Sequence, residues 1–85
     1  MISFTHVIQD PMGLHARPAG LLAKAAIAFP CAITITTSAG TGDAKRLMSV
    51  MRLAAKAGTE LTVTCDGDRE EEAAAALEAF LKENL

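Results

Sequence analysis

The chain has 85 residues with no Trp, no Tyr and three Phe, so its single core must be aliphatic and Ala-rich. A net charge of −2 and no basic–aromatic platform argue against nucleic acid as a partner. The most apolar run, Leu21 to Phe29, is short and broken by Lys24, and Met1-Ile2-Ser3-Phe4 lacks a basic leader, so neither membrane insertion nor a signal peptide is expected and the location reads as cytoplasmic.

Ile2, Phe4, His6 and Ile8 alternate with Ser3, Thr5 and Val7, which predicts a first strand with His6 as a partly buried residue without chemistry. Gln9 to Leu14 reads as a loop, because Asp10-Pro11 and Gly13 are turn formers. Pro18, Leu21, Leu22, Ala25 and Phe29 then fall on one stripe of period near 3.6, predicting a helix from Ala16 to about Phe29 that Pro30 stops. Cys31 to Thr37 alternates as a second strand, Ser38-Ala39-Gly40 as a turn, and Thr41 to Ala44 as a short return strand.

A short helix is predicted from Arg46 to about Ala54, with Leu47, Val50, Met51 and Ala54 on one stripe and Met48 off it, exposed. Gly58 closes that region and Thr59 to Thr64 alternates as the last strand, Leu61 and Val63 pointing one way. Asp66-Gly67-Asp68 is a turn, Asp68 is the expected N-cap of a final helix, and Glu70, Glu71 and Glu72 suit its first turn. Ala73, Ala76, Leu77, Phe80 and Leu81 are that helix's expected buried stripe.

The order β-α-β-β-α-β-α over residues 1–85 predicts one α/β domain. Its fold class is a two-layer open-faced sandwich, a four-stranded mainly antiparallel sheet covered on one face by three helices. Cys31 and Cys65 have no metal-ligand spacing and read as buried or half-buried thiols at strand edges; if those strands pair antiparallel, a disulfide between them is open.

The chemistry concentrates at Met12-Gly13-Leu14-His15-Ala16-Arg17-Pro18-Ala19-Gly20. Pro18 must sit in the first helical turn, since deeper it would clash with the preceding one, so His15 falls at or beside the N-cap. The unpaired amides of Ala16 and Arg17 and the positive end of the helix dipole then favour an anion beside the imidazole. Arg17 adds a cation whose fork suits phosphate oxygens.

The dipole is worth about 0.3–1 kcal/mol and charge-assisted hydrogen bonds about 1.5–3 kcal/mol, enough to make a phosphohistidine usable as a carrier. The plainer alternative is that His15 only caps the helix and Arg17 is a solvated charge. Residues 1–65 carry +3 and residues 66–85 carry −5, so the His15 end is the basic one and suits acidic partners.

Three motifs together carry a resemblance: Gly13-Leu14-His15-Ala16-Arg17-Pro18-Ala19, Lys45-Arg46-Leu47-Met48-Ser49-Val50-Met51, and Lys56-Ala57-Gly58-Thr59-Glu60-Leu61-Thr62-Val63. Over nearly the whole chain, the sequence resembles the HPr family, the histidine-containing phosphocarriers of the bacterial phosphoenolpyruvate-dependent sugar phosphotransferase system. The resemblance implies that His15 accepts a phosphoryl group on Nδ1 from phosphorylated enzyme I and passes it to enzyme II A domains. Arg17 and the Ala16 and Arg17 amides would stabilise the group, Pro18 would fix the helix start, and no cofactor or metal would be needed.

The resemblance also places the short helix beside the active loop. Lys24, Lys45, Arg46, Leu47, Met48 and Met51 become the expected partner-binding residues of a monomer, although Leu47 and Met51 could equally be core. Many Gram-positive members carry a kinase-regulated Ser directly after the Lys matching Lys45; here Arg46 stands there and Ser49 does not match, so that switch is not carried over. Two further readings stay open: a regulatory carrier outside sugar transport, and a module that binds a phosphorylated metabolite without covalent chemistry.

Overall fold

The computed structural model describes residues 1–85 and contains β1 (Ile2–Val7), α1 (Ala16–Ile27), β2 (Ala32–Thr37), β3 (Gly40–Asp43), α2 (Leu47–Arg52), β4 (Glu60–Asp66) and α3 (Glu70–Asn84). The strands form one sheet in the order β1-β4-β2-β3, every pair antiparallel. The expected open-faced sandwich is the fold.

Strand alternation assigns the two faces. Register aligns Phe4 with Val63 and Val63 with Ile35, and Cys65 lies between Ile2 and Ile33, so these side chains share the helix-covered face. One residue out of phase, Ser3, Thr64 and Thr34 line up on the other face, as do Thr5, Thr62 and Thr36. β-Branched hydroxyl residues fit a pleated surface left to water. Full burial of Ile33, Ile35, Leu61 or Leu77 stabilises the fold by about 1.5–3 kcal/mol per side chain. His6 shares the inner face opposite Leu61, and its Nε2 is enclosed without a hydrogen-bond partner.

Several local expectations are corrected. α1 ends at Ile27, with Phe29 in the following turn, and its buried residues are Pro18, Ala19, Leu22, Ala23 and Ala26; Leu21 is 43% exposed and Ala25 and Phe29 only partly covered. Periodicity marks the bulky residues, but α1 packs against both α2 and α3, and alanines permit that close approach. The hairpin turn is the two residues Ser38-Ala39, so β3 begins at Gly40 and ends at Asp43.

α2 is shorter than expected, with Arg46 as its N-cap and Leu53 as its C-cap. Val50 and Leu53 are buried, while Ala54 is exposed and left-handed at φ 47. β4 runs on through Cys65 and Asp66, because Cys65 has pairing neighbours on both sides.

The N-cap of α3 is Arg69, left-handed at φ 61 and without a side-chain cap bond, not Asp68. Glu70 reaches back instead, its Oε1 accepting the Gly67 N–H at 3.1 Å. The buried stripe of α3 is Ala73, Ala74, Leu77 and Leu81, with Phe80 half-buried; Ala76 faces solvent. Ala74 takes its place because α3 packs on α1 as well as on β1 and β4, which widens its covered face.

Candidate functional site

His15 is the N-cap of α1, its backbone extended at φ −93 and ψ −178 and its carbonyl accepting the Ala19 N–H at 2.9 Å. The imidazole makes no capping hydrogen bond, so the side chain is not consumed by the helix it begins. The amides of Ala16 and Arg17 have no partner, and Pro18, packed inward, has none to offer. The first turn therefore presents two free donors with a positive dipole end, next to a half-buried imidazole. Arg17 is exposed and forms no ion pair.

Beside the ring lies an open depression of about 230 Å³ lined by Asp10, His15, Arg17, Pro18, Leu21 and Asn84. Asp10, Leu21 and Asn84 are not picked out by the sequence motif. α3 brings Asn84 from the far end of the chain, and Leu21 is exposed because the Ala face of α1 turns inward.

The loop that leads into His15 is clamped from two directions. On one side, the Leu14 N–H donates to the Ala55 carbonyl at 2.8 Å. Gly13, at φ +68, lies so close that a Cβ there would come within 2.4 Å of that oxygen and 2.8 Å of Lys56 Cα. Only glycine fits both the left-handed backbone and the approach. On the other side, the Gln9 and Asp10 amides donate to the Leu85 carbonyl, and Asp10 Oδ1 accepts the Met12 N–H at 2.8 Å. His15 thus stands on a fixed platform although its loop has no regular structure.

The charged residues divide into two groups. Lys45 Nζ donates to the Phe29 carbonyl at 2.7 Å, past the C-terminal end of α1, whereas Ala55 binds Leu14 at the beginning of α1. α2 therefore runs back alongside α1, starting away from His15 and finishing next to its loop. Lys45 is held at the end remote from His15. Arg46, 80% exposed in its side chain, stands near it with Asp43 Oδ2 4.0 Å away. Arg52, outside the quoted motifs, and Lys56, which opens the third of them but was not expected to bind a partner, lie at the His15 end, exposed and without ion pairs.

Lys24 is exposed in the last turn of α1. Leu47, Met48 and Met51 are 40%, 70% and 38% exposed, so they form a surface and not a core stripe. Ser49 is built into the fold, its Oγ accepting the Asp43 N–H at 2.9 Å.

Cys31 and Cys65 are both buried and free, brought together where β2 begins and β4 ends. Burial, followed by the neighbouring Cys31 thiol, pushes the Cys65 thiol above its usual range. No group of three or more His, Cys, Asp or Glu side chains is gathered to hold a metal ion, and no helix is long and apolar enough to cross a membrane.

The fold and the site define a small open-faced sandwich that presents a free imidazole at an anion-favouring helix end. Residues 2–83 match the family model described as the phosphorylation site of the PTS HPr component. Phosphocarrier protein HPr of Mycoplasma capricolum is 44% identical over 77 residues, 91% of this chain and 86% of that one. The same protein of Mycoplasma genitalium is 39% identical over 85 residues, 99% of this chain and 97% of that one. Among solved structures, the mycoplasma histidine-containing phosphocarrier protein superposes with a TM-score of 0.93 at 40% identity, covering 96% of this chain and 93% of that one. The chain belongs to the HPr family, the phosphocarriers of the phosphotransferase system that serves sugar transport.

Proposed function

We propose that this protein carries a phosphoryl group on His15 Nδ1, received from phosphorylated enzyme I and delivered to the A domain of a sugar-specific enzyme II, in the cytoplasm. The observation that carries this reading is the free imidazole of His15 beside two unpaired amides and an unpaired guanidinium. In the forward step the ring nitrogen attacks phosphorus, the bond to the donor's phosphoryl-bearing atom breaks, and a new P–N bond forms. The open Ala16 and Arg17 amides and the Arg17 guanidinium stand beside the imidazole and can hold the phosphoryl oxygens during transfer, so positioning and electrostatics suffice. The reading makes the chain a carrier that passes the group between partners and assigns it no turnover of its own.

Leu47, Met48 and Met51 form the apolar part of the docking face. Lys24 lies on the same face of α1 as Arg17, and Arg52 and Lys56 supply cations beside the loop, which favours acidic partners. Flexible Met side chains suit a face that meets several partners in turn. Lys45, tied to the Phe29 carbonyl, serves mainly to fix the start of α2.

Intact-mass analysis after incubation with phosphoenolpyruvate and enzyme I tests the reading. One added phosphoryl group, labile in acid and absent in His15→Ala, is expected. No gain from an enzyme I that phosphorylates another HPr would overturn covalent carriage and favour non-covalent phosphate binding.

A further inference from the structure

The depression beside His15 has one wall of each sign. Arg17 and the helix end make the attractive wall, and Asp10 stands on the rim of the same depression. Asp10 forms no ion pair, so its charge is not neutralised locally. Its position is fixed: Oδ1 accepts the Met12 N–H at 2.8 Å, its carbonyl accepts the Gly13 N–H at 2.9 Å, and its own N–H donates to the Leu85 carbonyl at 3.2 Å. The chain thus holds a carboxylate on the rim of the depression in which the proposed function puts a dianionic phosphoryl group. Loop construction alone does not require that charge, because an asparagine makes the same Asx turn.

Resting on the phosphocarrier reading, we propose that Asp10 sets how long the phosphoryl group stays on His15, acting through its charge as a positioning residue that touches neither ring nor phosphorus. In loss to water, the P–N bond breaks and its electron pair stays with the ring nitrogen. Water gives its oxygen and one proton to phosphorus and its other proton to the ring, so neutral histidine and hydrogen phosphate dianion result. As the bond stretches, the ring gains a proton and negative charge drains from the phosphoryl oxygens. A nearby carboxylate favours both changes. Asp10 therefore shortens the lifetime of the phosphorylated state and raises its tendency to pass the group on, while Arg17 and the amides hold it long enough to be useful. One negative charge facing two across several ångströms of aqueous depression changes the rate by roughly three- to tenfold.

The test is a charge series on the intact protein. Asp10→Asn keeps the acceptor for Met12 and removes the charge, Asp10→Glu keeps the charge, and Asn84→Asp adds a second carboxylate on the same rim. Each protein is loaded with phosphoenolpyruvate and enzyme I, the donor is removed, and loss of the phosphoryl mass is timed at alkaline pH in low salt and in 1 M salt, where screening shortens to roughly 3 Å.

Lifetimes are expected to lengthen several-fold in Asp10→Asn, shorten in Asn84→Asp and stay near wild type in Asp10→Glu, with the spread contracting in high salt. Equal lifetimes across the series, or a spread that salt leaves unchanged, would overturn the role of Asp10 while the loaded wild type still upheld the carrier. Failure of wild type to load at all would instead remove the carrier reading, and this inference with it.

Discussion

α1 and α3 begin in opposite ways, and the contrast shows how one chain makes an anion site at only one of two helix ends. α3 carries Glu70, Glu71 and Glu72 in its first turn, and Glu70 turns back to accept the Gly67 N–H while its other oxygen pairs with the Met1 amino group at 2.7 Å. That amino group, then the Gly67 amide, hold the Glu70 carboxyl below its ordinary range. Neither end has a side-chain cap bond, but α1 has no acidic residue in its first turn and carries Arg17 in place of a glutamate, beside the open Ala16 and Arg17 amides. The dipole has the same sense at both ends; α3 sets its own carboxylates against it, and α1 sets none there.

Removing the cation from the open end should have the largest effect. Arg17→Ala is expected to slow phosphoryl acceptance on His15 about 10- to 100-fold, the rate equivalent of roughly 1.5–3 kcal/mol for a charge-assisted hydrogen bond. Thermal stability should hardly change, because Arg17 is exposed and unpaired. A marked fall in melting temperature would make Arg17 a structural residue and void its assignment.

Converting the open end into the filled kind comes next. Ala16→Glu places a carboxylate where α3 has its own, and repulsion of the incoming dianion should cost roughly tenfold in acceptance rate at low salt. That loss should shrink as salt rises. Unchanged rates measured with enzyme I would show that the two ends differ in sequence but not in electrostatic consequence.

The smallest effect probes the filled end. A carboxyl held below its ordinary pKa contributes stability that is present at neutral pH and lost as pH falls through about 4.5 toward the folded-state value. Glu70→Gln should therefore lower the melting temperature slightly at pH 7, and the gap to wild type should close progressively below that pH. A gap that persists unchanged at pH 3 would mean that packing, not charge, is the contribution of Glu70. Transfer through His15 should be unaffected throughout.

Much of the molecule is legible in the residue pattern. Alternation from Ile2 to Ile8, Cys31 to Thr37 and Thr59 to Thr64 marks strands because the pleat has period two. The Gly13-to-Pro18 spacing places His15 at a helix start because Pro18 cannot sit deeper. Where the pattern misleads, alanine is usually the reason. Ala19, Ala23 and Ala26 are buried in preference to Leu21, and Ala74 in preference to Ala76, because side chains this small carry little periodic signal yet decide how closely helices approach.

The sequence by itself determined the order of elements, the single inner face of the sheet and the place of His15 and Arg17 at a helix start, since these depend on local backbone preference and near-neighbour spacing. Only the tertiary structure decided which distant residues share that end of the molecule. Ala55 and Lys56 against Gly13, and Asn84 across one depression from Asp10 and Arg17, come together because α2 and α3 pack back along α1. It also turned Lys45 away to the Phe29 carbonyl and left Leu47, Met48 and Met51 on the surface. Contacts of that kind join residues sixteen or more positions apart, and no local rule of spacing encodes them.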